Sequence, residues 1–141
     1  MNPAANTQQK TDEEHLKLLS LFHYVVGGFA GLFACFPLIH LGVGIFMILA
    51  PEKMGAGNQL PPAFLGWFFV IIAVCIIVAG WTFALLVLLA GRFLARRKNY
   101  MFCFVMACVE CLFMPFGTVL GVFTLLVLMR PSVKEMFTPP T

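Results

Sequence analysis

Three long runs without charged side chains constrain the fold of this 141-residue chain more than any other feature. Residues 18–51 and 54–91 contain no Lys, Arg, Asp or Glu, and in residues 99–129 Glu110 is the sole exception. About 20 apolar residues in a helix span a bilayer core, and backbone groups in lipid must pair within their own segment. With 61% hydrophobic and 11% charged residues, the chain could not cover the surface of a soluble globule. We therefore predict an all-α, polytopic transmembrane helical bundle.

The charged residues divide the chain into one membrane domain with two short tails. We predict a disordered cytoplasmic tail over residues 1–11, a single membrane domain over residues 12–136 and a C-terminal tail over residues 137–141. The apolar segments of the domain are expected at about 21–50, 64–91 and 100–129.

Local signals predict where the helices start and break. Thr11 and Glu14 have the spacing of a capping box, which predicts a helix start. Pro37 and Pro115 each lack the backbone N–H that a helix interior needs, so we expect breaks inside the first and third segments.

A basic cluster sets the expected orientation. Four basic residues directly follow the second segment: Arg92, Arg96, Arg97 and Lys98. Basic loops stay in the cytoplasm, which places the 51–62 loop outside and the N-terminus inside. The same four side chains are expected to contact anionic lipid head groups.

The number of helices depends on the third segment. If this segment crosses once, six basic residues lie inside and three outside; if it turns back at residues 115–117, eight lie inside and one outside. The charge distribution favours the second arrangement, with four helices and both termini inside. Length favours three helices, because the two halves of the segment reach roughly 21–24 Å and a bilayer core measures about 30 Å.

Glu110 is the candidate site that the sequence singles out. A carboxylate inside a bilayer is costly and faces a partner or a functional path. Counted from Asn99, Glu110 lies about 16 Å deep. On the same count Trp81 and Thr82 lie at a matching depth, so they are the expected hydrogen-bond donors, with His40 in reserve. His23 is expected near the membrane surface, close to the predicted start of the first segment.

Pairs of small residues four positions apart predict close helix packing. The three pairs are Gly27 with Gly31, Gly80 with Ala84, and Gly117 with Gly121. Such faces pack within one chain, or they build a homo-oligomer or a contact with another membrane protein, and the sequence leaves these possibilities open.

The chain carries no motif of a soluble enzyme. The cysteines at 108 and 111 have CxxC spacing, but a thiolate is disfavoured in mid-helix in lipid, so we expect packing residues. We predict no metal ligands, no cofactor and no catalytic residues. A nucleic-acid partner is not expected either, because the net charge of +3 is modest.

Two stretches near the ends of the chain carry a resemblance to known sequences. They are residues 15–24 (HLKLLSLFHY) and residues 114–134, including MPFGTVLGVF and VLMRPSVK. These stretches resemble the terminal signatures of small bacterial multi-pass membrane proteins of unknown function. The Pro-Phe-Gly turn at 115–117 is also similar to that of Tic20-like proteins. The first resemblance covers most of residues 12–136; it implies a bacterial inner-membrane location and no particular activity.

Two functions fit these features. The first is a non-catalytic membrane protein that packs against lipid, protein partners or copies of itself. The alternative is a small oligomeric channel or transporter with Glu110 in a proton or cation pathway. The first is preferred because few polar side chains could line a wet path through one chain.

Overall fold

The computed structural model describes residues 3–54 and 63–137, and these residues form helices joined by short turns, without a strand. This confirms the predicted all-α class. The helices are α1 (Pro3–Phe33), α2 (Leu38–Leu49), α3 (Pro51–Met54), α4 (Ala63–Arg96), α5 (Tyr100–Glu110), α6 (Phe116–Leu128) and α7 (Pro131–Met136).

The two proline-containing breaks divide long apolar segments into shorter helices. A turn at residues 34–37 separates α1 from α2, and a turn at residues 111–115 separates α5 from α6. Pro37 and Pro115 directly precede the new helices. Proline fits this position because its fixed φ suits a helix start and its missing N–H is not needed there.

The N-terminus differs from the prediction. The tail expected to be disordered over residues 1–11 is helical from Pro3 onward. Proline suits the first turn of a helix, and the following residues include the helix formers Ala4 and Gln8. Thr11 does not cap a helix, because its hydroxyl donates to the carbonyl of Thr7 within α1. Of the predicted C-terminal tail and the 51–62 loop, residues 138–141 and 55–62 lie outside the described residues.

The chain divides into two compact units. Unit 1 comprises residues 1–28 and 84–141, and unit 2 comprises residues 29–83. The buried apolar core of unit 1 consists of Leu16, Leu19, Leu94, Cys103, Leu120, Val127, Leu128 and Val133. In unit 2, α2 packs closely on the start of α4, since a Cβ added at Gly44 would lie 3.1 Å from the carbonyl oxygen of Gly66.

Helices α5 and α6 form an antiparallel hairpin in unit 1. Near the turn, a Cβ added at Gly117 would lie 2.6 Å from the carbonyl oxygen of Glu110. At the opposite end, the hydroxyl of Tyr100 donates to the carbonyl of Leu128 over 3.0 Å. The third segment therefore turns back, as the charge distribution favoured. We call residues 111–116 the tip of the hairpin.

The end of unit 1 opposite the tip is held by ion pairs. Arg130 Nη1 lies 2.8 Å from Asp12 Oδ1, and Arg97 Nη2 lies 3.0 Å from Glu13 Oε1. These contacts bring the ends of α4 and α6 to the charged part of α1. We call this end the charged end.

Two helical stretches are long and apolar enough to cross a membrane. They are Asn6–Leu49, counted across the break at Pro37, and Phe64–Arg96. Only 11% and 17% of their most apolar windows are buried. A core helix of a soluble protein would bury most of such a window, so these helices present apolar surface that the described chain leaves uncovered.

Candidate functional site: a buried histidine–glutamate pair

One face of α1 is buried along its charged half and carries polar as well as apolar residues. Its members are Asp12, Leu16, Leu19, Ser20, His23 and Gly27. Spacings of three and four residues put side chains on one face of a helix. This face therefore points polar groups into the interior of unit 1.

His23 and Glu110 meet at the centre of unit 1. His23 Nε2 lies 3.2 Å from Glu110 Oε2, and both side chains are 0% exposed. The contact has an ion-pair distance but not the alignment of a hydrogen bond, so neither the Nε2 atom nor the two carboxyl oxygens have a hydrogen-bond partner. Buried polar atoms in native proteins are almost always satisfied, which makes this pair the most unusual site among the described residues.

The other nitrogen of the His23 ring is bound to the backbone of its own helix. His23 Nδ1 lies 2.8 Å from the carbonyl oxygen of Leu19. A carbonyl can only accept, so Nδ1 carries a hydrogen and donates it. Nε2 is therefore the ring nitrogen that faces the Glu110 carboxyl group.

A glycine lets α1 approach α4 beside the pair. A Cβ added at Gly91 would lie 2.9 Å from the Cβ of His23 and 3.2 Å from the carbonyl oxygen of Ser20. The hydroxyl of Ser20 donates to the carbonyl of Gly91 over 2.7 Å. This contact fixes α1 against α4 one turn before His23 and so helps to hold the imidazole in position.

The partner of Glu110 differs from the sequence-based expectation for a definite reason. The depth argument placed the membrane surface near Leu21 and therefore put His23 at the surface. In the structure the charged end includes Asp12, and His23 lies 11 positions after Asp12, just as Glu110 lies 11 positions after Asn99. At 1.5 Å per residue both side chains lie about 16 Å from that end. His23 was missed because the polar start of α1 was not used as the reference level.

The other residues expected near Glu110 belong to unit 2. Trp81 is 48% exposed. Thr82 is exposed, and its hydroxyl donates to the carbonyl of Val78 in its own helix. The His40 ring lies 6.0 Å from that of Phe36, and both line an apolar cleft of about 350 Å³.

Apart from Gly31, whose contact is with its own helical segment, the small residues of the predicted pairs lie at close contacts between segments of one unit. In unit 1, a Cβ at Gly27 would meet the side chain of Leu88 at 2.8 Å and the carbonyl oxygen of the buried Ala84 at 3.4 Å. In unit 2, a Cβ at Gly80 would lie 2.8 Å from the Cβ of Ala34. The remaining members of the predicted pairs contact carbonyl or thiol groups: Gly31 accepts a bond from Cys35 Sγ, Gly117 faces Glu110, and Gly121 faces Ala107.

A second polar cluster, which the sequence did not single out, lies at the charged end. Asp12 is 1% exposed and accepts hydrogen bonds from Arg130 Nη1 and from Ser132 Oγ. Burial raises the pKa of the Asp12 carboxyl, but the bonds from Ser132 and Arg130 outweigh it and hold the pKa below its ordinary value of 3.8. Asp12 therefore links α1 to the start of α7. In the sequence, the signal for the burial of Asp12 was its position on the same face of α1 as Leu16.

The predicted lipid-contact cluster is largely exposed. Arg92, Arg96 and Lys98 are exposed, whereas Arg97 is half-buried and pairs with Glu13. Within the described residues all five cysteines are free thiols, and no group of three or more His, Cys, Asp or Glu side chains converges in a way that could hold a metal ion.

Comparisons of this chain with known protein families, curated proteins and solved structures found no match.

Proposed function

We propose that this chain is an integral membrane protein with a non-catalytic role, acting through its packing against lipid and membrane partners. The observation that carries the proposal is that the two long apolar stretches are largely uncovered. Only 11% and 17% of their most apolar windows are buried. Exposed apolar surface of this extent is unfavourable in water and favourable in lipid. The exposed basic residues in the last turns of α4 and just after it suit contact with anionic head groups.

The same proposal includes an orientation in the membrane. The charged end of unit 1 gathers Arg97, Arg130 and their acidic partners, and basic residues favour the cytoplasmic side. We therefore assign residues 12 and 130 to the cytoplasm, Lys53 to the outer side, and the protein to the inner membrane of a bacterium.

A non-catalytic role agrees with how the buried polar groups are used. Ser20 donates to a carbonyl of α4, Thr124 donates to the carbonyl of Leu120 in its own helix, and Asp12 binds the start of α7. Each of these three groups either stays within its own helix or joins two neighbouring segments of unit 1. Several small residues are likewise engaged in contacts within the chain, which leaves the exposed apolar helix faces as the surface for lipid or for a partner.

Membrane extraction and reporter fusions test this proposal. The protein expressed in a bacterium should remain in the membrane pellet after alkaline carbonate and urea, and dissolve in detergent. A reporter active only in the cytoplasm should work when fused after residue 137 and fail when fused after Lys53. Release by carbonate would overturn the membrane assignment, and a reversed reporter pattern would overturn the orientation.

The buried pair favours a second function, a proton-carrying site in a transport pathway. Two titratable side chains in contact can pass a proton between them, and intramembrane acids and histidines form such relays in transporters. The specific observation is that His23 Nε2 and both Glu110 oxygens lack hydrogen-bond partners while remaining 0% exposed.

Proton flux into liposomes distinguishes the two functions. Purified wild type is compared with Glu110→Gln, whose amide keeps the shape of the side chain and can still donate to His23 Nε2 but cannot exchange a proton. The matched control is Ser20→Ala, which removes a neighbouring hydrogen bond and leaves both titratable groups. Flux in wild type and control that is lost in Glu110→Gln supports the proton pathway. Background flux in wild type, or flux retained in Glu110→Gln, refutes it.

A further inference from the structure

We propose that the α5–α6 hairpin is a re-entrant element that enters the membrane from the cytoplasmic side and ends among lipid acyl chains. The inference rests on the proposed membrane location and adds a partner for one surface, the tip at residues 111–116. Four features of unit 1 carry it.

The first feature is length. Helix α5 has 11 residues and α6 has 13, which correspond to about 17 and 20 Å. The bilayer core measures about 30 Å. A hairpin that starts at the charged end and returns to it therefore reaches the middle of the core and stops short of the far side.

The second feature is the composition of the tip. Its side chains are apolar and largely exposed, with Leu112 81%, Met114 83% and Phe116 77% exposed. A turn between helices in water is normally rich in Gly, Pro, Asn, Asp and Ser. Residues 111–116 read Cys-Leu-Phe-Met-Pro-Phe, so Pro115 is the single typical turn residue among them, and Asn, Asp and Ser are absent.

The third feature is the pairing of the backbone in the turn. Irregular backbone is costly in lipid because each unpaired N–H or C=O loses its water partner. Here the amides of residues 111, 112 and 113 donate to carbonyls of α5. The hydroxyl of Thr118 donates to the carbonyl of Cys111 over 2.9 Å, and the amide of Thr118 donates to that of Phe113. Proline at 115 removes a further donor, so the turn satisfies much of its own hydrogen bonding.

The fourth feature is the charge at the other end of the hairpin. Arg130 and Lys134 follow α6, and Lys98 precedes α5. All three side chains are exposed, which suits anionic head groups at the cytoplasmic surface. The hairpin is thus apolar at its tip and basic at its base, and this gradient matches one leaflet of a bilayer.

Tryptophan quenching by brominated lipids measures the depth of the tip. Native Trp67 and Trp81 are replaced by Phe, and a single tryptophan is introduced as Leu112→Trp. The matched control is Met101→Trp, which lies in the first turn of α5 and is similarly exposed at 69%. A third protein keeps native Trp81 alone and reports on α4. The vesicles contain phosphatidylcholine and phosphatidylglycerol with bromine at carbons 6,7 or 11,12.

The re-entrant arrangement predicts a distinct pattern. Leu112→Trp should lose most fluorescence with 11,12-bromolipid and should resist aqueous iodide, whereas Met101→Trp should be quenched by iodide. If Trp81 stays quenched by bromolipid, two outcomes overturn the proposal. Quenching of Leu112→Trp by iodide would mean that the tip reaches water. Protection of Leu112→Trp from both quenchers would mean that a second copy of the chain covers the tip. If Trp81 also escapes bromolipid quenching, the membrane location itself fails.

Discussion

Replacing Gly121 by alanine should open the α5–α6 hairpin. The Cβ atom would lie 2.5 Å from the carbonyl oxygen of Ala107, 2.7 Å from Cys111 Sγ and 2.9 Å from the Cys111 backbone nitrogen. Ordinary contacts of a Cβ begin at 3.4 Å. Two of the three neighbours are backbone atoms of α5 and of the residue that follows it, so no side-chain rotation can relieve the overlap. The two helices have to separate by about 0.9 Å.

Two opposing effects set the size of the loss. Alanine raises helix propensity over glycine by up to about 1 kcal/mol. Overpacking against atoms that cannot move costs roughly 1–3 kcal/mol and occasionally more, and a gap of nearly 1 Å removes up to about half of the dispersion energy along the interface. We expect a net loss of about 2–3 kcal/mol in the free energy of opening unit 1.

The buried thiol of Cys103 offers a direct assay. It is 0% exposed on α5, so a maleimide reacts with it only when unit 1 opens. With the other four cysteines replaced, the loss predicted for Gly121→Ala corresponds to labelling about 30- to 150-fold faster in detergent micelles. The control Gly28→Ala adds a Cβ that meets nothing within 4 Å, and its labelling should be unchanged or slower. Gly27→Ala meets the flexible side chain of Leu88 and should fall between the two. Equal rates for Gly121→Ala and Gly28→Ala would refute the close approach of α5 and α6.

Two further predictions concern the charged end of unit 1. The pKa of Asp12 is lowered in the fold by Ser132 and Arg130, so the stability that ionised Asp12 gives to unit 1 should be complete above about pH 5 and disappear as the pH falls through the folded-state pKa. Asp12→Asn should remove this part of the pH dependence in thermal melts and lower the free energy of unfolding by about 1–2 kcal/mol at pH 7. An unchanged pH profile in this variant would contradict the prediction. Tyr100→Phe loses the hydrogen bond to the carbonyl of Leu128 and should destabilise unit 1 by about 0.5–1.5 kcal/mol in the Cys103 labelling assay, whereas a variant as stable as wild type would mean that this bond contributes nothing.

The helical class and the helix breaks could be predicted because they depend on single properties of the sequence. Uncharged runs of more than 30 residues predict helices, because a helix pairs all backbone groups of a segment within the segment itself in lipid. Pro37 and Pro115 interrupt helices through the chemistry of one residue. The hairpin followed from the positions of Arg130 and Lys134, although the length of its halves argued against it. Both arguments hold if the hairpin does not cross the membrane.

The partner of Glu110 depends on the rotation and level of two distant helices, and a single depth count does not determine these. The count went wrong at the start of α1, where the helix begins at Pro3 and its charged turn near Asp12 sets the level. The face with Asp12, Leu16, Ser20 and His23 was visible in the sequence, and polar residues at helical spacing on one face would have indicated burial. The absence of a hydrogen bond between His23 and Glu110 could not be predicted from the sequence, because it depends on side-chain rotamers.

The position of Glu110 links the buried pair to the hairpin tip. Glu110 is the last residue of α5, and its backbone carbonyl accepts the amide of Phe113 in the turn. A re-entrant hairpin therefore carries the carboxyl group to the middle of the membrane, where a polar group without a partner is costly. Glu110 thus belongs to both features: its backbone joins the turn, and its side chain faces His23, which the carbonyl of Leu19 holds on α1.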